Sequence, residues 1–182
     1  RFLPVKVDDA QGNLIMAYEG IVYAADHGCQ IINCSWGGKQ GNGEFGQDII
    51  DYATINCDAL VVAACGNEDN QTIYYPASYK YVLAVAGTNA NDLKWVGSTT
   101  GSNFNIFVDI AAPGESVYST LNPNTYAYSS GTSMASPVVA GAAALLKSFR
   151  PELSALQIGE QLRVTADVID TMQGNLNYTG LL

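Results

Sequence analysis

The sequence predicts a single α/β domain built on a mostly parallel sheet with helices on both faces. Residues 59–65 are apolar on successive positions and residues 30–35 are a β-branched run, as expected of strands when both sheet faces are covered. Stretches with apolar residues at helical spacing separate them. The chain has 182 residues, 48% hydrophobic and 14% charged, which suits one folded domain better than two domains or a disordered tail.

Taken in order, residues 2–7 are short and β-favouring, and Asn13 stands where it would cap a helix over 14–27 that stops at Gly28. Residues 30–35 are a β-branched run ending in Gly37-Gly38. Residues 44–56 read as a second helix, with Phe45, Ile49, Ile50, Tyr52 and Ala53 near one face. Residues 59–65 form a continuous apolar strand closed by Gly66-Asn67. The middle, 70–125, is rich in Gly, Asn, Ser and Tyr and reads as long loops with strands at 81–86 and 105–110. A small-residue helix follows over 132–149. Ser154 and Gln157 form a capping box that opens a last helix to about Ala166. The chain starts on a strand and stops at Leu181-Leu182 without a closing signal, so both ends read as cut.

Eight basic residues against 17 acidic give a formal charge of -9. Such a surface repels phosphate backbones and argues against nucleic acid as a partner. The most apolar run, 135–146, is about 12 residues long where a bilayer needs about 20, so no membrane span is expected. Cys29, Cys34, Cys57 and Cys65 lack the paired spacing of a zinc site. Buried thiols are the favoured reading, with one or two disulfides left open.

Ligands of parallel α/β sheets bind beyond the carboxyl ends of the strands. Two strands here end in small residues, Ser35-Trp36-Gly37-Gly38 and Ala64-Cys65-Gly66-Asn67, where glycines admit a close backbone approach. Asn67 is a side-chain donor just past a buried strand, although Gly-Asn there is also an ordinary turn signal. Ser133 lies where residues 130–137 enter a helix. Free N–H groups and the helix dipole favour developing negative charge at that end, and plain capping by Thr132 or Ser133 would explain it equally. Pro137 fits the first turn.

Together these segments resemble the subtilisin-like serine proteases. Gly131-Thr132-Ser133-Met134-Ala135-Ser136-Pro137, followed by Val139-Ala140-Gly141, is similar to the nucleophile motif. Ala63-Ala64-Cys65-Gly66-Asn67-Glu68 resembles the oxyanion segment, and Asn33-Cys34-Ser35-Trp36-Gly37-Gly38 the substrate-binding strand. Tyr75-Pro76-Ala77 and Ala111-Ala112-Pro113-Gly114 match two further landmarks, and the order is preserved over nearly the whole chain.

The resemblance implies a three-layer fold, with residues 1–182 as the C-terminal part of a peptidase catalytic domain acting on polypeptides. Ser133 is then the nucleophile, and the Asn67 side chain with the Ser133 N–H forms the oxyanion hole. Ser35, Trp36 and Gly37 form one wall of the substrate pocket, Ala64, Cys65 and Gly66 the other, and Tyr74 its floor. The Tyr75-Pro76 bond is expected to be cis. No cofactor is needed for the chemistry. A structural calcium would use Asp109 with carbonyls near Ala77 and Tyr79. Export to the cell surface or medium is the family habit.

Three departures accompany the match. The family orders its triad Asp, His, Ser, and nothing before Phe2 supplies the first two, so the missing N-terminal part of the same domain is an expected partner and the chain alone is expected to be inactive. Val138 stands where histidine is usual, and Cys65 where a smaller residue is. The single histidine, His27, is placed at the opposite end of the strand over 30–35, about 20 Å from the site. A general base must reach its proton within about 3 Å. Two other readings are a non-catalytic domain that binds extended peptide by strand addition and a sedolisin-like acid peptidase. Asn67 opposes the second of these, because sedolisins place Asp in the oxyanion hole.

Overall fold

The computed structural model describes residues 1–168. The chain ends at Leu181-Leu182, read as unclosed, lie outside the described residues. Four strands, β1 (Ile31–Cys34), β2 (Leu60–Ala64), β3 (Val82–Thr88) and β4 (Ile110–Pro113), form one sheet in the order β1-β2-β3-β4, every pair parallel.

Alternation along β2 shows how the layers arise. Val61 and Ala63 face α1 (Ala17–Asp26) and α2 (Gly43–Asp51), joining Ile21, Ala24, Ile49 and Ile50 in one core. Leu60 and Val62 face the other way, into a core with Ala135, Val139, Ala140 and Ala143 of α3 (Thr132–Phe149) and Ala155 and Ile158 of α4 (Ala155–Thr165). Successive strand side chains point to opposite faces, so a strand apolar throughout needs helices on both. The predicted three-layer α/β architecture is the one observed. A two-stranded antiparallel hairpin, β5 (Val117–Leu121) and β6 (Thr125–Ser129), stands apart and leads straight into α3.

Several boundaries differ from the sequence reading. Residues 2–7 form no strand. They run beside the free edge of β1 across a groove of about 310 Å³, lined by Phe2, Leu3 and Val5 on one side and Ile31, Ile32 and Asn33 on the other. A strand exists only where a neighbour takes its hydrogen bonds in a ladder; here the Val7 carbonyl accepts from the Ile15 and Met16 N–H groups and no ladder continues from it. Asn13 does not cap α1, which starts after Met16; its side chain instead donates to Asp9 Oδ2 at 2.9 Å. The predicted helix over 44–56 is α-helical only to Asp51 and then widens into a π-helical turn, Tyr52–Asn56. The strand expected at 105–110 begins only at Ile110, because Asn105 closes a turn by accepting the Phe107 N–H at 3.0 Å.

Other expectations hold. Tyr75-Pro76 is cis. Ser154 and Gln157 form the complete capping box, and α4 is followed by Ala166 as its cap. All four cysteines are free thiols, Cys34 and Cys65 buried and the other two half-buried.

Candidate active site

The site lies where α3 begins over the carboxyl ends of β1 and β2. A cleft of about 430 Å³ opens there, bounded by Trp36 and Gly37, by Ala64, Gly66 and Asn67, and by Thr132 and Ser133. Chain segments 98 residues apart are joined by two reciprocal hydrogen bonds. Ser133 Oγ donates to the Ser35 carbonyl at 3.1 Å, and Ser35 Oγ donates to the Ser133 carbonyl at 2.8 Å. One turn further along α3, Ser136 Oγ donates to Asn33 Oδ1 at 2.8 Å, and Asn33 Nδ2 donates to Ser35 Oγ at 3.0 Å. The first turn of α3 is thereby fixed to the end of β1.

Asn67 is oriented by Thr132. The Thr132 N–H and Thr132 Oγ each donate to Asn67 Oδ1 at 2.9 Å. With its oxygen so occupied, the Asn67 amide presents Nδ2 as a free donor on the Gly131-Thr132-Ser133 side of the cleft. The Ser133 N–H lies in the first turn of α3, where helical geometry offers no acceptor. Two N–H donors and a hydroxyl therefore converge in one cleft at a helix N-terminus.

The remaining predicted residues divide. Trp36, Gly37, Ala64, Gly66 and Tyr74 all line the cleft. The Tyr74 ring lies between the two walls. A Cβ added at Gly66 would come within 2.9 Å of it, so that wall must be glycine for the ring to fit; one at Gly37 would touch the ring at 3.4 Å but meet the Tyr75 carbonyl at 2.8 Å, so the second wall is held to glycine by backbone. Cys65 supplies backbone to the wall, but its thiol turns inward to Ala86 and Val108 and donates to the Asn103 carbonyl at 3.3 Å. Burial pushes that thiol up to about 12, so it stays protonated and is no competing nucleophile at neutral pH.

His27 is not near this cleft. It ends α1, stacks on Tyr23 with ring centroids 3.9 Å apart, and lines a separate groove with Gly28, Gln30 and Ile31. Asp109 sits on the far side of the sheet from α1 and α2. Its Oδ2 accepts the Ala84 N–H at 2.9 Å, and the carboxyl lines a small cavity with Arg163 and Glu160. Burial holds that carboxyl above its ordinary range. The Tyr79 carbonyl accepts the Val82 N–H at 3.3 Å. Calcium takes six to eight oxygens, and no cluster of three His, Cys, Asp or Glu side chains occurs among the described residues.

Sequence reasoning missed three contributors. Thr132 read as a cap but orients Asn67. Asn103, fully buried, accepts the Glu68 N–H on Oδ1 at 2.7 Å and donates to the Thr72 carbonyl at 3.1 Å, holding the loop after Asn67. Lys39 meets Glu68 at 2.6 Å on the cleft rim. Nothing local in the sequence marks these last two, whose partners are 35 and 29 positions away.

The subtilase family model matches residues 1–180. The chain belongs to the subtilase family. Among subtilases and related proteinases it is 46% identical over 169 residues to thermitase of Thermoactinomyces vulgaris, covering 92% of this chain and 58% of that protein. It is 43% identical over 151 residues to subtilisin DY of Bacillus licheniformis, covering 81% and 53%. A thermophilic serine proteinase of Bacillus sp. strain AK1 is 39% identical over 171 residues, covering 93% and 41%. The chain thus spans about half the length of these relatives, and its match to the family runs through every segment that forms the cleft. No helix among the described residues is long and apolar enough to cross a membrane.

Proposed function

We propose that this chain is the nucleophile-bearing part of a serine endopeptidase catalytic domain. The observation that carries the proposal is the convergence of Ser133 Oγ, the Ser133 N–H and the Asn67 amide in one cleft at the start of α3. Ser133 Oγ gives up its proton and attacks the scissile carbonyl of a polypeptide; the C–N bond then breaks, the amine leaves carrying that proton, and the acyl-enzyme so formed is hydrolysed by water. The carbonyl oxygen becomes an oxyanion, taken up by the Asn67 Nδ2 donor and the Ser133 N–H. Extended substrate lies along Ser35-Trp36-Gly37. One relative is named as a serine proteinase, which supports the same chemistry.

A serine hydroxyl is a weak nucleophile until a base takes its proton. His27 does not line the cleft, so the base and its orienting carboxylate belong to the part of the domain preceding this sequence. That part also completes the sheet at the free edge of β1, beside the groove that Phe2, Leu3 and Ile31 line. Export from the cell goes with this reading. A structural calcium at Asp109 is the less supported element, since one carboxylate oxygen is already bonded to Ala84 and Arg163 lines the same cavity.

The test is reconstitution. The 182-residue chain alone reacts slowly with a fluorophosphonate; adding the separately expressed upstream segment brings rapid labelling at Ser133 and peptide hydrolysis, both abolished by Ser133→Ala. Rapid labelling of the isolated chain would require a base within it and would overturn this assignment. A reconstituted protein that binds extended peptide without cleaving it would favour the non-catalytic reading.

The Tyr74 ring fills the volume between the glycine walls where a large P1 side chain, the one preceding the cleaved bond, would lie. The reconstituted enzyme should prefer Ala or Ser at P1 over Phe. A library profile peaking at aromatic residues would show that the ring swings out of the pocket.

A further inference from the structure

Lys39 and Glu68 come from opposite sides of the cleft. Lys39 follows the wall Trp36-Gly37-Gly38, which is anchored to the floor: the Gly38 N–H donates to the Tyr75 carbonyl at 2.9 Å, and the Tyr75 N–H donates back at 2.8 Å. Glu68 follows Asn67 on the other wall and lines the cleft itself. Its backbone is fixed by buried Asn103. The two side chains meet at 2.6 Å, and Glu68 lines the cleft together with Tyr74.

An ion pair this exposed, with the lysine side chain 60% and the carboxylate 31% accessible, adds little to stability. Its consequence is electrostatic. Among the described residues, Glu68 is the one carboxylate lining the cleft. Left alone, it would draw a cationic substrate side chain into the pocket. With Lys39 bonded to it, the pocket mouth is close to neutral and its best acceptor is taken. The pair also holds Glu68 charged, below the ordinary carboxylate range.

We propose that Lys39 and Glu68 form a charged crossbar over the specificity pocket, and that Lys39 is a specificity-determining residue that masks a latent preference for Lys or Arg at P1. The proposal rests on the reading of the cleft as a peptidase site. Tyr74 sets how much volume is available, and the crossbar sets which charge is accepted.

The experiment compares kcat/KM of the complete enzyme, upstream part included, on peptides differing only in Ala, Lys or Glu at P1. Lys39→Ala should raise the Lys-to-Ala ratio roughly tenfold, the size expected of one charge-assisted hydrogen bond. Glu68→Gln should instead raise the Glu-to-Ala ratio, because Lys39 is then unpaired. The double variant should return both ratios to those of the unaltered enzyme. Added salt should erode the gain of Lys39→Ala, as it screens a half-exposed charge. A Lys-to-Ala ratio that stays within about twofold in Lys39→Ala, while Ser133-dependent cleavage persists, overturns the crossbar and leaves the peptidase reading intact. Loss of all Ser133-dependent cleavage in the unaltered enzyme removes both.

Discussion

Asn67 performs two jobs with the two ends of one amide. Its oxygen accepts from the Thr132 N–H and hydroxyl, which ties the end of β2 to the start of α3. Its nitrogen is left to donate into the cleft. Asn67→Leu keeps the approximate volume and removes both. In the reconstituted enzyme we expect kcat to fall by about 10² to 10³ with KM little changed, the size seen on removing such a donor in subtilisin itself. A raised KM with kcat intact would make Asn67 a substrate-binding residue only. That Ser133 and Asn67 would share one cleft was legible from their motifs. The inward turn of the Cys65 thiol was not: position in the wall gives the backbone's place, and the side-chain direction follows from which face of the strand end packs on Ala86 and Val108.

At the scale of elements, the best-read pieces are those whose ends are fixed by local chemistry. The Ser154 box starts α4 because the side chains of Ser154 and Gln157 satisfy each other's free backbone N–H groups, an interaction closed within four residues. The worst-read pieces depend on neighbours far away in sequence. Residues 2–7 have strand composition but no strand beside them, and β1 ends the sheet with one edge unpaired. Free edges invite pairing with another copy. Nearby exposed apolar groups, Phe2 at 91% and Phe149 at 76%, add to the liability. The isolated chain should therefore sediment above its 19.3 kDa monomer mass at roughly 100 μM. The upstream segment should reverse this by taking the edge. A clean monomer at that concentration, with the segment absent, would mean the groove beside β1 is closed in solution.

For the molecule as a whole, composition and pattern determined the class. Strands apolar on every residue demand cover on both faces, and the segments between them supply helices with one apolar stripe each. The same linear text singled out Ser133 and Asn67, because a serine at a helix start and an asparagine past a strand lie in contiguous motifs. Tertiary structure alone decided what those motifs do to one another. It set the Tyr74 ring between Gly37 and Gly66, turned Asn67 by way of Thr132, and joined Lys39 to Glu68 across the cleft. These contacts link residues between 8 and 65 positions apart in sequence. Periodicity and capping report only on neighbours within a turn or a pleat, whereas a cleft is made by the spacing of strand ends, which the packing of α3 against the sheet fixes.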